Sequence, residues 1–408
     1  MSMTTQLKEL HPFLQENWEN AGFETLTPVQ EQMLPSMLGR KDLIVESPTG
    51  TGKTLAYCLP VLQNIDSSSS SVQAVVIAPT KELVMQIHTV FQEYAQGSGI
   101  SGTTLIGGVN VQRQIDKLKK KPQYIIGTPG RILELYKNKK LKLHEVKTII
   151  VDEADVVYDM ELMDEVQNIV KGTMKDRQLV FVSATISKKS EELAKEWMNE
   201  PLFIKVERDS SAAKKVQNLY LISERRDKID NLRRIIRHHS NMKAIVFFGD
   251  SMRLEEIAAK MAYRGITVGV ISGQASKQER QKVMREFRAS DHALLLSTDL
   301  AARGLDISGL THVIHFDLAD SEKQYIHRSG RTGRMGQEGT IISLVTEREE
   351  NVLVKWAKKM DTDPQKMVFK RDHLVPQSHS TQQKTDKKRP PKKSAPQRTQ
   401  NFTKKKGK

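Results

Sequence analysis

Nine residues near the amino end of the chain, ESPTGTGKT from Glu46 to Thr54, have the types and spacing of a phosphate-binding loop. They follow a short apolar run and precede an apolar helical segment, which is the context that such a loop requires. Glycines let backbone N–H groups approach phosphate oxygens, Lys53 can reach the β and γ phosphates of a nucleotide, and the Thr54 hydroxyl can hold Mg²⁺. The general pattern has glycine where this chain has Ser47. We predict a nucleotide site that comprises Ser47, Thr49, Gly50, Thr51, Gly52, Lys53 and Thr54.

A second group of reactive side chains lies in TIIVDEADVVYDM, from Thr148 to Met160, directly after another apolar run. Mg²⁺ prefers oxygen ligands, so Asp152 can hold it opposite Thr54, directly or through water. Glu153 is placed to orient or deprotonate the water that attacks the γ phosphate. Taken alone, the acidic cluster could simply begin a helix. Beside a phosphate loop, catalysis is the better interpretation.

The composition limits the classes of protein that the chain can belong to. With 408 residues, 38% of them hydrophobic and 28% charged, it has enough material for two globular domains. No apolar run approaches the roughly 18 residues that span a membrane, and the first residues lack a signal pattern. We therefore expect a cytoplasmic protein without a membrane partner. A monomer is assumed, since no sequence feature indicates an oligomer. Cys58 is the only cysteine, which excludes an intramolecular disulfide and a cysteine-rich zinc site.

Two series of short apolar runs, separated by helix-like segments, must position these side chains. The first runs from DLIVES at 42–47 to LVFVSAT at 179–185, and the second from NLYLIS at 218–223 to GTIISLVT at 339–346. This spacing predicts an α/β fold with two parallel sheets, each covered by helices on both faces. In such sheets the working residues lie at the carboxyl ends of strands. We expect domains at 1–205 and 217–365, joined by a short polar linker at 206–216.

The carboxyl end of the chain differs from the rest in charge. Residues 384–408 contain 11 lysines and arginines and one aspartate, so they hold +10 of the formal net charge of +15. Such a segment cannot bury enough apolar surface to fold, and we expect a largely disordered basic tail over 366–408. It is interpreted as an electrostatic tether for nucleic acid, with a solubilising tail as the alternative.

Together with further segments in the same order, these motifs resemble the DEAD-box ATP-dependent RNA helicases of superfamily 2, in a bacterial form, over about residues 10 to 365. The resemblance implies two RecA-like domains, an RNA-dependent ATPase, and ATP and Mg²⁺ as cofactors. GFETLTPVQ, Gly22 to Gln30, resembles the adenine-reading segment of the family. Gln30 can donate to and accept from the adenine edge, and Phe23 offers a stacking face.

The resemblance also implies a set of RNA contacts that bind phosphate without reading sequence. APTKEL, GG and TPGR in the first domain resemble RNA-gripping motifs, with Lys81 where the family usually has arginine. In the second domain, SKQERQKV and STDLAARGLD supply the corresponding positions. The implied RNA-binding residues are Pro79, Thr80, Lys81, Gly108, Thr128, Arg131, Arg280 and Thr298.

A last group is implied to connect the two domains. Asp155, Ser183, Thr185, Arg303 and His327 are the implied coupling residues, and Asp306 is implied to meet the ribose of ATP. HRSGRTGR, His327 to Arg334, supplies Arg331 and Arg334 as arginine fingers that act when the domains close. With Lys53, Asp152 and Glu153, these two arginines complete the implied catalytic set.

The resulting hypothesis is a clamp in which ATP and RNA bind across one cleft, so that each favours closure and thereby the other. Closure would melt a few RNA base pairs, and hydrolysis would reset the clamp. An ATP-gated RNA clamp or remodeller of RNA–protein complexes remains an alternative, as does a DNA-directed translocase. A GTPase is disfavoured because NKKL at Asn138–Leu141 lacks the aspartate that reads guanine. Ribosomal particles and ribosome assembly are plausible for a family member with a basic tail.

Overall fold

The computed structural model describes residues 5–206, 216–239, 242–273, 275–289, 293–302, 309–333, 337–360, 362–371 and 373–377. Three of the residues implied by the family resemblance, Arg303, Asp306 and Arg334, lie outside these ranges. Most of the expected linker and the chain from residue 378 onward lie outside them as well.

The first half of the chain forms a seven-stranded parallel sheet with the order β3-β4-β2-β5-β6-β1-β7. Its strands are β1 Leu43–Glu46, β2 Ala74–Ile77, β3 Gly102–Leu105, β4 Tyr124–Gly127, β5 Thr148–Asp152, β6 Gln178–Ser183 and β7 Leu202–Lys205. Its helices are α1 Thr5–Lys8, α2 Pro12–Asn20, α3 Pro28–Leu38, α4 Lys53–Asn64, α5 Lys81–Tyr94, α6 Val111–Leu118, α7 Pro129–Lys137, α8 Ala154–Asp159, α9 Met163–Lys171 and α10 Lys188–Trp197.

The second half forms an eight-stranded sheet with the order β10-β11-β9-β12-β13-β8-β14-β15, in which β14 and β15 are antiparallel to each other. Its strands are β8 Val216–Ile222, β9 Lys243–Phe248, β10 Val268–Ile271, β11 Ala293–Thr298, β12 His312–His315, β13 Gly339–Val345, β14 Gln365–Lys370 and β15 His373–Pro376. Its helices are α11 Lys228–His238, α12 Met252–Tyr263, α13 Lys277–Ala289, α14 Asp299–Ala302, α15 Glu322–Ser329 and α16 Glu347–Lys358.

Burial on both faces explains why the strands read as continuous apolar runs. Along β2, Val75 and Ile77 belong to one apolar cluster, while Ala74 and Val76 belong to the cluster on the opposite face of the sheet. This alternation is the pleat of a strand that is covered by helices on both sides. The predicted pair of parallel-sheet α/β domains is confirmed. Among the described residues, none of the helices combines the length and apolar character needed to cross a membrane.

The expected start of the disordered tail at residue 366 is wrong. Strand β14 begins at Gln365 and pairs with β8, and β15 pairs with β14 through to Pro376. Met367 and Leu374 are buried in the core of the second domain. These two apolar side chains anchor the segment, and composition averaged over the whole basic tail conceals them.

The strand order places the predicted reactive segments next to one another. Strands β5, β6 and β1 are neighbours, with Glu46 opposite Ser183 and Asp152 opposite Val182. The phosphate loop follows β1 and the acidic cluster follows β5. The sequence SAT, Ser183 to Thr185, begins at the last residue of β6. All three therefore meet at the carboxyl edge of the first sheet, where open parallel sheets carry their functional sites.

A buried histidine pair makes the stability of the second domain depend on pH. His312 is 8% exposed, and its Nε2 lies 3.2 Å from Nδ1 of His239. Burial, together with the neighbouring His239, lowers the pKa of His312 to about 4. Because the folded pKa lies below the unfolded value of about 6.5, this contribution is fully present above pH 6.5 and is lost as the pH falls toward 4.

We expect the free energy of unfolding to fall by about 2 kcal/mol between pH 7.5 and pH 5 from this group. Urea unfolding of the intact chain measures it, and His312→Gln should flatten the dependence. His144→Gln removes an exposed imidazole on the first domain and serves as the control. An unchanged pH dependence in His312→Gln would refute the assignment.

Candidate active site at the interdomain cleft

The phosphate loop is held by its own hydrogen bonds. Nζ of Lys53 donates to the carbonyl oxygens of Ser47, at 2.5 Å, and of Pro48, at 2.9 Å, so the ammonium group lies over the loop. Ser47 is fully buried, and its hydroxyl lies 2.8 Å from that of Thr51. Gly52 has φ +88°, and a Cβ there would lie 2.6 Å from Nε2 of Gln30. The loop conformation therefore requires glycine at this position.

Gln30 connects this loop to the segment that resembles an adenine reader. Its Nε2 donates to the carbonyl of Gly52 at 3.3 Å, and its Oε1 accepts from the N–H of Thr27 at 2.8 Å. Each end of the amide retains a further hydrogen-bonding position. Phe23 is 38% exposed and packs on the buried ring of Trp18 at 5.4 Å. Trp18, which supports this ring, was not among the predicted residues.

Asp152, at the end of β5, is buried and fixed on both carboxylate oxygens. Oδ2 accepts from the hydroxyl of Tyr57 at 2.8 Å, and Oδ1 accepts from the N–H of Glu153 at 2.8 Å. Burial raises the pKa of Asp152, whereas the charge of Lys53 acts in the opposite direction. Tyr57 was not predicted, although it lies one helical turn after Lys53 and so on the same face of α4.

Glu153 has a left-handed backbone, with φ +47°, and lies between β5 and α8. It lines a cavity of about 240 Å³ that Arg331 and His327 from the second domain also line. Burial raises the pKa of Glu153, and the charge of Arg331 partly opposes that rise. A carboxylate with a raised pKa is a stronger base, which suits proton transfer from water.

Asp155 of the first domain contacts two side chains of the second domain. Its Oδ2 accepts from the hydroxyl of Thr185 at 2.8 Å and lies 3.2 Å from Nε2 of His327 and 3.4 Å from Nζ of Lys323. Burial of Asp155 opposes its ionisation. The hydrogen bond and charge of His327, the charge of Lys323 and a hydrogen bond from Ser183 outweigh burial and hold the pKa of Asp155 well below its usual range. The structure thus brings together the predicted coupling residues that it describes.

A second contact joins the phosphate loop to the segment that carries Arg331. The hydroxyl of Thr49 donates to the carbonyl of Gly330 at 3.3 Å. Two residues before Gly330, Arg328 is buried, pairs with Asp299 through two nitrogens, and donates to the carbonyl of Asp317 at 2.8 Å. This network fixes the end of α15, so the position of Arg331 depends on a rigid support.

The residues that resemble an RNA grip lie on another part of the first domain. Lys81 is exposed and lies against Gly108, since a Cβ on Gly108 would come within 2.6 Å of its Nζ. The Thr80 hydroxyl caps α5 by accepting from the N–H of Leu83 at 3.2 Å. Pro79, which precedes Thr80, is buried, and its assignment as an RNA-binding residue stays a prediction.

The remaining RNA-binding candidates differ in their exposure and in the ion pairs that they already form. Arg131 lies in the first turn of α7 and pairs with Glu134 at 2.9 Å, while Thr128 is the half-buried residue before that helix. Thr298 is half-buried at the end of β11. Arg280 reaches across the cleft, with Nη1 3.1 Å from Oε1 of Glu82, beside Lys81. No local pattern signals Glu82, because its partner is 198 residues away.

Lys323 was also missed, although it lies one helical turn before His327 on α15. Its Nζ contacts Oδ2 of Asp159 at 2.6 Å and the backbone oxygen of Asp155 at 3.2 Å. The side chain therefore binds two acidic residues of the opposite domain. We expect Lys323→Asp to lower RNA-stimulated ATP hydrolysis about tenfold or more, since it places like charges at the closing interface.

The charge exchange Lys323→Asp with Asp159→Lys should recover part of this loss. Steady-state ATP hydrolysis by the parent, the two single variants and the double variant measures the coupling between the two residues. Lys359→Asp is the matched control, because Lys359 pairs with Glu322 at 2.9 Å within the second domain. A double variant no better than the worse single variant would argue against the cross-domain pair.

A phosphate loop on one parallel-sheet domain, faced across a cleft by an arginine of a second such domain, defines a class of nucleotide-driven two-domain enzymes. Two family models match the chain, the DEAD/DEAH box helicase over residues 27–193 and the helicase conserved C-terminal domain over residues 227–336. The chain belongs to the DEAD-box ATP-dependent RNA helicases, which confirms the family expected from the motifs.

Individual relatives agree with this membership. The DEAD-box ATP-dependent RNA helicase CshC of Bacillus cereus is 50% identical over 386 residues, which is 94% of this chain and 97% of that protein. The probable ATP-dependent RNA helicase YfmL of Bacillus subtilis is 48% identical over 89% of this chain and 96% of that protein. A structure of S. cerevisiae Dbp5 bound to RNA and ADP BeF3 matches with a TM-score of 0.79 and 28% identity, over 88% of this chain and 94% of that one.

Proposed function

We propose that this protein hydrolyses ATP at the cleft only when RNA holds its two domains together, and that closure locally melts RNA duplexes or remodels RNA–protein complexes. The observation that carries the proposal is the Asp155 contact. One carboxylate of the acidic cluster touches Thr185 on its own domain and both His327 and Lys323 on the other. Any ligand that stabilises this closed arrangement therefore also organises the residues around Glu153.

In this proposal, Lys53 and the loop from Ser47 to Thr54 hold the phosphates, and Phe23 and Gln30 hold the adenine. Glu153 accepts a proton from the attacking water, and Arg331 stabilises the charge that develops on the γ phosphoryl group. Arg334 and Asp306 are assigned to a second arginine finger and a ribose contact on the family resemblance alone. The cavity that Glu153 and Arg331 share supports the roles of Glu153 as proton acceptor and of Arg331 as stabiliser of the γ phosphoryl group.

The donor chemistry at the loop fits Mg²⁺. Among the described residues, no group of three histidines, cysteines or carboxylates could hold a metal. Mg²⁺ commonly takes one or two protein ligands and completes its shell with water and substrate phosphates, so Asp152 and Thr54 suffice. When bound, the ion would neutralise phosphate charge. The hydrogen bond from Tyr57 restricts the rotamer of Asp152 and so holds this carboxylate in one position.

RNA is proposed to lie along the exposed side of Lys81, Gly108 and Thr128, and to reach Arg280 and Thr298 across the cleft. The pair between Arg280 and Glu82 shows that both domains approach each other on this side too. We further propose that the two domains extend from 1 to 205 and from 217 to about 377. A cytoplasmic monomer that acts on ribosomal particles is the setting that the basic tail and the absence of apolar spans in the sequence favour.

Steady-state ATP hydrolysis by the intact chain tests the proposal, with no nucleic acid, with single-stranded RNA, and with DNA of the same sequence. Strong stimulation by RNA but not by DNA is expected, with displacement of a short RNA duplex that requires ATP. Equal rates in all three reactions would reject RNA-gated hydrolysis. RNA-stimulated hydrolysis without strand displacement would favour an ATP-gated clamp.

A further inference from the structure

Away from the cleft, eight lysines of the first domain are concentrated in 26 residues. Residues 117–142 contain these eight lysines and Arg131 against one carboxylate, Glu134, which is a net charge of +8. The chain carries +15 and residues 384–408 carry +10, so residues 1–383 carry +5 and their part outside 117–142 carries −3. The positive charge of the folded body is therefore concentrated in this segment.

The fold places these lysines together. They lie at and beyond the carboxyl ends of α6 and α7, and all eight side chains are exposed: Lys117, Lys119, Lys120, Lys121, Lys137, Lys139, Lys140 and Lys142. Helix α6 leads from β3 to β4 and α7 leads from β4 to β5. Both pack on the same face of the sheet, since Ile115 and Leu118 contact the apolar cluster that contains Leu133 and Leu135. We call this group the lysine face.

The lysine face lies at the amino ends of the strands, on the side of the sheet opposite the cleft. Its residues precede β4 and β5, whereas the phosphate loop and the acidic cluster follow strands. In a parallel sheet, residues that precede strands and residues that follow strands lie at opposite ends of the strands. The lysine face therefore cannot be part of the RNA grip beside Lys81.

Two features argue against a merely solvated surface. Among the described residues, only Lys119 of the eight has a carboxylate partner, Asp116 at 2.9 Å, so the group repels itself and lowers stability. Lys121 and Lys139 also have φ of +57° and +55°, a left-handed conformation in which glycine would be less strained. A favourable helix dipole accounts for cations in the last turn only.

From these observations we propose that the lysine face is a second RNA-binding surface, which holds the phosphate backbone of a large structured RNA while the cleft acts on another part of it. The inference rests on the proposed RNA-dependent function and adds a contact that short RNAs cannot reach. Exposed lysines recognise phosphate as point charges, so binding is insensitive to sequence and sensitive to salt. Such a surface keeps the enzyme on its substrate between cycles of opening.

The backbone conformation allows a test that separates binding from folding. Lys121→Gly and Lys139→Gly remove charge at positions where glycine fits better, so thermal unfolding should show no loss of stability. Lys120→Gln and Lys140→Gln complete a fourfold variant of the intact chain. The control removes four exposed cations of the second domain by Arg371→Gly, Lys260→Gln, Lys355→Gln and Lys358→Gln, and Arg371 also has positive φ, +47°.

Binding and ATPase stimulation are measured with a folded RNA of several hundred nucleotides and with a ten-nucleotide single strand. We expect the fourfold variant to bind the folded RNA about tenfold or more weakly near 0.1 M salt, with a log–log salt slope smaller by about 3. Its response to the short strand should match that of the parent. An unchanged affinity for the folded RNA, or an equal loss in the control, would overturn the inference. A parent that the short strand fails to stimulate would instead count against the proposed function.

Discussion

Glu153→Gln should abolish RNA-stimulated ATP hydrolysis while leaving ATP and RNA binding largely intact. The amide keeps the size and hydrogen-bonding reach of the carboxylate but cannot take a proton from water, and general-base catalysis typically contributes a factor of about 10²–10⁴. Glu153 lines the cavity that Arg331 also lines, and its backbone is left-handed. We expect a fall in kcat of at least about 100-fold.

The measurement is steady-state hydrolysis at saturating RNA, combined with binding of a fluorescent ATP analogue. Glu161→Gln provides a close control, because Glu161 is exposed, lies eight residues away and also has positive φ, +56°. A variant at Glu153 that retained more than a tenth of the parent kcat would show that another group accepts the proton.

Gly330→Ala should prevent closure of the cleft. A Cβ on Gly330 would lie 2.0 Å from the hydroxyl oxygen of Thr49, closer than the two atoms can approach, whereas its distance of 3.4 Å from the Cβ of Thr49 is van der Waals contact. The hydroxyl of Thr49 would have to give up its hydrogen bond to Gly330, or the phosphate loop and the segment carrying Arg331 would have to separate. Either change loosens the contact between them, and misplacement of a catalytic group by about 1 Å can cost a factor of about 100 in rate. We expect a loss of that size in RNA-stimulated kcat.

Because the clash arises between domains, each domain should still fold, and thermal unfolding of the variant should match that of the parent. Gly249→Ala is the matched control, since its new Cβ would meet no atom closer than 3.8 Å. Adding Thr49→Ala to Gly330→Ala removes the clashing oxygen and should restore part of the lost rate relative to Gly330→Ala alone. No recovery in that double variant would place the defect elsewhere.

The sequence was sufficient to predict the elements whose signals are local. Apolar runs bounded by turns predicted the strands, and loop chemistry predicted the region from Ser47 to Thr54, because each signal lies within a few residues. Contacts between distant segments left no such signal. The pair between Arg280 and Glu82 depends on how two folded domains meet, and no periodicity along the chain encodes it.

For two of the missed residues, the sequence carries part of the signal and tertiary packing carries the rest. Tyr57 and Lys323 each lie four residues from a predicted site residue on a helix, so helical spacing alone places them on the relevant face. The buried contacts that give them importance, to Asp152 and Asp159, come from tertiary packing. The boundary of the tail was missed because two buried side chains, Met367 and Leu374, outweigh the polar character of their neighbours.

The hairpin of β14 and β15 has a consequence for shortened forms of the protein. Strand β8 pairs with β13 on one side and with β14 on the other, and β15 forms the outer edge of that sheet. A chain ending at residue 365 would leave one edge of β8 without its pairing to β14 around Tyr220 and Leu221, and exposed strand edges of this kind recruit further strands. Such a truncation should aggregate, and its loss of activity would be mistaken for a contribution of the basic residues beyond it. Removal of those residues is informative only if the chain is kept through Gln377.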